Sequence, residues 1–329
     1  MHKEFRIVFM GTPAFAVPSL AILHEAGYLI ASVVTVPDKP AGRGQQIRAS
    51  AVKTYAQLHQ LPLLQPETLN DPYFIRRIAD LNPDLIVVVA FRMLPQSIWS
   101  IPIYGTINLH ASLLPRYRGA APINRALMNG ETKTGLTTFY IDQGLDTGRI
   151  LLQEEVAIPD DMDAGGLHDV LMHRGAALLL RTVNEINAGT LHSRPQEASH
   201  QLEPLPKAPK LSRSDAQIQW SNAAAWVHNR VRGLSPSPGA WTILRHTGGE
   251  EVALKILKGK VSESSHPLSP PGTILIEGKR LLIACSDAYF EVLEAQWPGR
   301  KRNTTVDLLA GHPLHDGWTF DSSPVGDDN

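Results

Sequence analysis

The chain has 329 residues, 43% of them apolar and 19% charged, which is the composition of a folded globular protein and excludes a disordered one. Its 31 Lys and Arg against 32 Asp and Glu leave a formal net charge of −1, so any nucleic-acid partner has to be held by local basic patches rather than by the whole molecule. One cysteine excludes intramolecular disulfides and Cys-ligated zinc, and the 13 histidines show no His-Glu-x-x-His or comparable spacing, so no metal is expected.

Residues 6–10 read as a first strand with no basic-then-apolar leader before them, and no apolar run approaches the roughly 20 residues of a membrane helix, so we expect a cytoplasmic protein. Short Val/Ile/Leu runs at 6–10, 29–36, 84–90, 105–109, 136–141 and 150–156 alternate with amphipathic stretches at 14–26, 50–60, 71–81, 121–129 and 163–188. That alternation predicts a mostly parallel sheet wrapped by helices, with ligands at the carboxyl ends of the strands. Gly11-Thr12-Pro13 lacks the three-glycine dinucleotide fingerprint and 41–45 lacks the Gly-Lys-Ser/Thr of a phosphate loop, which argues against NAD and ATP chemistry.

From 190 to 209 four prolines among polar residues read as a semi-rigid linker. Beyond it a helical stretch, 221–232, precedes apolar runs at 240–245, 251–257, 272–276, 280–285 and 289–296, which predict a small β-barrel. Cys285 falls in one of these runs and reads as a packing thiol, and the polar tail after Gly317 is expected to fray.

The chemistry gathers at Asn108-Leu109-His110, where strand alternation points Asn108 and His110 to one face. An amide can donate to an oxyanion and an imidazole can move a proton near neutral pH, so the pair suits attack on a carbonyl. Asp142 and Asp146, in the loop after the run at 136–141, are two candidate carboxylates to hold the imidazole. Each piece alone also fits a turn with satisfied backbone hydrogen bonds, and their coincidence in a sheet without a nucleotide motif favours catalysis.

The segments Asn108-Leu109-His110-Ala111-Ser112-Leu113-Leu114-Pro115, Tyr117-Arg118-Gly119-Ala120-Ala121-Pro122-Ile123 and Gly144-Leu145-Asp146-Thr147-Gly148 closely resemble the 10-formyltetrahydrofolate-dependent formyltransferases. Phe9-Met10-Gly11-Thr12-Pro13 and the stretch at 37–44, Pro-Asp-Lys-Pro-Ala-Gly-Arg-Gly, resemble the members that formylate methionyl initiator tRNA. Lys210-Leu211-Ser212, Trp220, Arg232-Gly233-Leu234-Ser235-Pro236 and Gly299-Arg300-Lys301 extend the likeness over nearly the whole chain. The resemblance implies a Rossmann-like α/β catalytic domain over 1–189, a linker over 190–209 and an OB-like β-barrel that meets tRNA over 210–329. It implies a catalytic trio of Asn108, His110 and Asp146, a direct transfer without metal or NAD, and a monomer in the bacterial cytoplasm.

By the same resemblance, folate lies between the ends of the fourth and fifth strands against Phe91, Arg92, Met93, Leu94, Ser112, Leu113, Leu114, Pro115, Asp142 and Gly144. Phe91-Arg92-Met93-Leu94-Pro95 departs from the commonest family pattern, which has Tyr-Gly and one more residue before Leu-Pro, and is nearer the glycinamide ribonucleotide formyltransferases. For tRNA it implies Lys39, Arg43 and Arg48 in one basic loop, Lys207, Lys210 and Arg213 at the linker, and Arg300, Lys301 and Arg302 in the second domain. Three other readings stay open: an amine acceptor on a sugar or a nucleotide, a hydrolase that passes the formyl group to water, and an RNA-binding protein without activity.

Overall fold

The computed structural model describes residues 4–41, 46–196, 204–311, 314 and 317–321. In chain order the first elements are β1 (Arg6–Gly11), α1 (Val17–Glu25), β2 (Leu29–Val34), β3 (Lys39–Ala41), β4 (Gln46–Arg48), α2 (Ala51–Leu58), β5 (Leu63–Leu64), α3 (Pro72–Asp80) and β6 (Leu85–Val89). Then come α4 (Gln96–Trp99), β7 (Thr106–His110), β8 (Arg118–Gly119), α5 (Pro122–Met128), β9 (Lys133–Tyr140), β10 (Ile150–Ala157) and α6 (Ala164–Asn187). The remainder holds β11 (Lys207–Ala208), α7 (Ala224–Leu234), β12 (Ala240–His246), β13 (Glu251–Val261), β14 (Ile274–Glu277), β15 (Arg280–Ala284), β16 (Tyr289–Gln296), β17 (Asn303–Thr304), α8 (Thr305–Gly311) and β18 (Trp318–Phe320).

Two compact units result, one of residues 1–119, 133–157 and 168–207, the other of 120–132, 158–167 and 208–329. The first is built on a seven-stranded sheet in the order β10-β9-β7-β6-β1-β2-β5. Strands β5, β2, β1, β6 and β7 run parallel, β9 runs against them, and the edge strand β10 is antiparallel to β9. The chain starts in the middle, winds out through β2 to β5 and crosses back to β6, so the strand order reverses between β1 and β6, where ligands of such sheets collect. Register pairs Gly11 with Val89 and Val89 with Leu109, which lines up the carboxyl ends of β1, β6 and β7.

The helices are positioned by caps that the sequence supplies. Ser50 accepts from the Lys53 N–H at the start of α2, and Asp71 accepts from the Tyr73 N–H, with Pro72 as the first residue of α3. Gly175 of α6 lets that helix sit close on the sheet, since a Cβ there would lie 2.9 Å from Leu109 and 3.2 Å from Leu136. Leu109 thus faces α6, as does Thr138, whose hydroxyl meets Thr182 at 2.8 Å. The opposite face of β7 is left for Asn108 and His110.

The second unit carries a seven-stranded antiparallel sheet that runs β14-β15-β16-β13-β12-β18, with β17 on β16. A bridge between Thr273 and Thr319 and a 2.9 Å bond from the Phe320 N–H to the Gly272 carbonyl join its two ends, so the sheet closes on itself. Residues 318–320, expected to fray with the tail, are therefore a barrel strand, held because Phe320 is buried and packs 5.5 Å from Trp220. Trp220 is the largest fully buried side chain, and its indole N–H donates to Thr242 at 2.9 Å. Helix α5 lies against α7, where Gly233 admits Met128 at 2.7 Å from the place of a Cβ.

Candidate active site

Asn108 and His110 project from the end of β7, Asn108 half-buried and His110 buried. The imidazole Nε2 lies 2.9 Å from the Tyr117 carbonyl, and its ring meets Phe139 edge-on at 6.5 Å. A carbonyl can only accept, so Nε2 carries the proton and Nδ1 is the nitrogen left to gain or lose one. Nδ1 is 3.9 Å from Asp146 Oδ2, an ion-pair distance longer than a hydrogen bond. The same Oδ2 accepts the Gly119 N–H at 2.9 Å, so one carboxylate is shared between the imidazole and a backbone donor. No side-chain hydrogen bond of Asn108 occurs among the described residues, and its amide N–H groups are available to a ligand.

The turn that carries Asp146 reaches this place by an unexpected route. Strand β9 is antiparallel to β7, with Tyr140 opposite Ile107 and Thr137 opposite His110, so the chain leaves β9 at the end away from His110. Residues 141–149 then double back and bring Asp146 to His110. Asp146 itself adopts a left-handed backbone, φ 54°. Asp142 is spent within the turn, where it accepts the Gly144 N–H at 3.0 Å and the Thr147 hydroxyl at 2.6 Å. The two candidate carboxylates are thus told apart, since only Asp146 faces the imidazole.

Residues 111–119 form the wall beside this pair. Thr137, opposite His110 in register, donates to the Ser112 carbonyl at 2.7 Å and accepts the Leu114 N–H at 3.2 Å. Gln153 donates to both the Leu114 carbonyl and Thr137 Oγ1, at 2.9 and 3.0 Å. Ser112 is buried with its hydroxyl on the Arg116 carbonyl at 2.7 Å, Leu114 packs with Phe139 and Ile150, and Leu113 and Pro115 are half-buried. Thr137, Gln153 and the Tyr117 carbonyl carry no recognisable spacing in the sequence, and it is the register of β9 against β7 that brings Thr137 opposite His110.

At the end of β6 the residues expected at folate divide. Leu94 is buried in the core cluster with Val88 and Ile98, and Phe91 packs on its edge. Arg92 turns its guanidinium to the carbonyls of Glu67 and Pro66, both at 2.8 Å, and lies 5.2 Å over the Phe91 ring. Burial lowers its pKa. Met93 is 74% exposed and Gly144 is also exposed, which leaves these two open to a ligand. The basic residues spread over both units: Lys39, Arg48, Lys207, Lys210, Arg213, Arg300, Lys301 and Arg302 are all exposed, while Arg43 lies outside the described residues. Arg302 pairs with Glu294, and Arg213 stacks 5.2 Å over Trp241. No group of three or more His, Cys, Asp or Glu placed to hold a metal occurs among the described residues.

Comparison with known proteins bears on this geometry. The formyl transferase family profile matches residues 5–183, and the profile of the formyl transferase C-terminal domain matches 210–313. A methionyl-tRNA formyltransferase of Bacteroides fragilis is 47% identical over 97% of this chain and 98% of its own length. One from Syntrophus aciditrophicus is 46% identical over 95% of this chain and 98% of its own. Among solved structures, the sugar 3N-formyl transferase WlaRD, crystallised in the presence of dTDP and 5-N-formyl-THF, superposes with a TM-score of 0.65 over 91% of this chain and 100% of that one. At 16% identity that likeness is one of fold alone. By the profile match over more than half its length and the identity to these full-length relatives, the chain belongs to the formyl transferase family.

Proposed function

We propose that the protein transfers the formyl group of 10-formyltetrahydrofolate to the α-amino group of methionyl initiator tRNA, the activity named for its relatives of 43–47% identity. The observation that carries this reading is the convergence of Asn108, His110 and Asp146 on one face at the end of β7. The neutral amine attacks the formyl carbon, a C–N bond forms, and the carbonyl electron pair moves to oxygen. Asn108 donates to that oxyanion. His110 takes the proton of the attacking amine at Nδ1, where Asp146 balances the charge of the imidazolium. Collapse of the intermediate breaks the bond to folate N10, which receives the proton.

In this reading folate meets Met93, the 112–115 wall and the 142–144 turn, with Phe91, Arg92 and Leu94 shaping the floor by packing and by carbonyl contacts. Residues 1–189 are the catalytic part and 210–329 the part that meets tRNA, and the segment that joins them in the chain, 190–209, begins by pairing with Ile150 of β10. The exposed cations at 39, 48, 207, 210, 213 and 300–302, together with Arg43, contact its phosphates. The protein acts as a monomer in the bacterial cytoplasm, and no helix among the described residues is long and apolar enough to cross a membrane.

The test offers folate carrying a labelled formyl group to methionyl initiator tRNA, to an amino-sugar nucleotide and to glycinamide ribonucleotide in parallel. Label on the methionyl amine alone is the expected result. Label on either small amine, or free formate, would replace this reading with an acceptor of another class or with a hydrolase.

A further inference from the structure

The turn that carries Asp146 has an odd support. Asp146 holds a left-handed φ of 54°, a conformation that Asp tolerates better than most residues other than glycine. The contacts that hold the turn in it come from distant sequence. The Gln196 side-chain amide donates to the carbonyls of Asp146 at 2.9 Å and Gly148 at 2.8 Å, one on each side of Thr147. Its oxygen accepts from Arg118 Nε at 3.1 Å and from the same guanidinium's second nitrogen at 2.7 Å. Gln196 therefore ties the Asp146 turn to the strand whose next residue, Gly119, gives its N–H to the Asp146 carboxylate.

Gln196 is itself anchored. Arg194 and Ile150 exchange two backbone bonds of 2.8 Å, and Arg149 reaches the Ser193 hydroxyl at 2.9 Å and the Ser193 carbonyl at 2.6 Å. Arg194 also reaches Gln153, whose amide holds the Leu114 carbonyl in the wall of the site. Residues 193–196 thus form a strap along β10 with Gln196 at the end nearest the catalytic turn.

We propose that Gln196 is a positioning residue for formyl transfer: its amide fixes the Asp146 turn so that the carboxylate stays on the His110 imidazole and the Gly119 N–H. The inference rests on the function proposed above. A side chain that only closed the surface would not need to satisfy both carbonyls of a left-handed turn and a guanidinium together.

The test uses the full chain with Gln196→Met, which keeps the length of the side chain and removes its polar atoms, and Gln196→Glu, which keeps the partner of Arg118 and loses the donors. Both are expected to lower kcat about 10-fold with KM for each substrate within about twofold, because the loss is one of placement rather than of binding. Each should add little to Asp146→Asn, since the effect runs through Asp146. Amide exchange at Gly119 should quicken in both variants while exchange in the core of the sheet is unchanged. Wild-type kcat in both variants, losses that multiply with those of Asp146→Asn, or unchanged Gly119 exchange would overturn the proposal. Should Gln196→Met fail to fold in a thermal melt, Gln196→Glu carries the same outcomes. A wild-type protein that moves no formyl group would defeat the functional reading instead, and Gly119 exchange would still decide what Gln196 holds.

Discussion

Two carboxylates four residues apart in one turn do different work, and the difference lies in what each accepts. Asp142 closes the turn on Gly144 and Thr147, while Asp146 faces His110 and Gly119. Steady-state turnover should therefore fall about 10²-fold or more for Asp146→Asn and clearly less for Asp142→Asn; the reverse ranking would reassign the charge that supports the imidazole. Cys285 gives a second test at this scale. Burial pushes its thiol up to about 12, with the nearby Asp287 adding to the shift, so at neutral pH almost none of it is thiolate. Native protein should take up no thiol reagent over hours and one equivalent once unfolded; rapid native labelling would contradict the packing. Asn108 and His110 could be read from strand alternation because their side chains carry the chemistry. The Tyr117 carbonyl could not, because a backbone acceptor leaves no mark on residue type, and Gln196 could not, because its partners are two carbonyls remote in sequence.

At the scale of elements, the ribbon of β3 and β4 rises from a base whose charges are already used. Lys53 pairs with Asp38 at 2.6 Å, and Gln65 donates to the second oxygen of Asp38 at 3.0 Å and to the Val36 carbonyl at 2.9 Å. The hydrogen bond from Lys53 holds the Asp38 carboxyl below its ordinary range. Lys53, which adds to the basic surplus of this loop when charges are counted along the chain, is thus neutralised in place. Arg43→Ala should weaken binding of tRNA and lower the slope of log affinity against log salt by about one, and Lys53→Ala should change that slope less. Equal slopes in both variants would mean that the Asp38 pair opens to meet phosphate. The strands and long helices were readable because their apolar periods are long. The antiparallel turn of β9 was not, because an apolar run of this kind looks the same in either direction.

For the whole molecule, the units do not follow the order of the sequence. Helix α5 stands amid the strands of the first unit in the chain and packs in the second, where Arg125 grips Asp215 through two bonds of 2.8 and 2.7 Å. Periodicity marked α5 as a helix and gave no sign of its partner. Burial alone would raise the Asp215 carboxyl, but the bonds from Arg125 and Ser212 outweigh it and hold its pKa at about 2. A carboxyl whose pKa falls on folding adds stability that is whole above its unfolded value near 4 and is lost as pH drops toward 2. Thermal midpoints of the wild type should decline over that window, and Asp215→Asn should start lower at pH 7 and decline less. Parallel curves would remove Asp215 from the account. The most direct test of the central claim is one single-turnover experiment: labelled formyl-folate and methionyl initiator tRNA with wild type, Asn108→Ala and His110→Ala, each shown to be folded. The account predicts label on the methionyl amine with the wild type and a rate lower by about 10²-fold or more in each variant. Rates within a few-fold of wild type, or label released as formate, would contradict it.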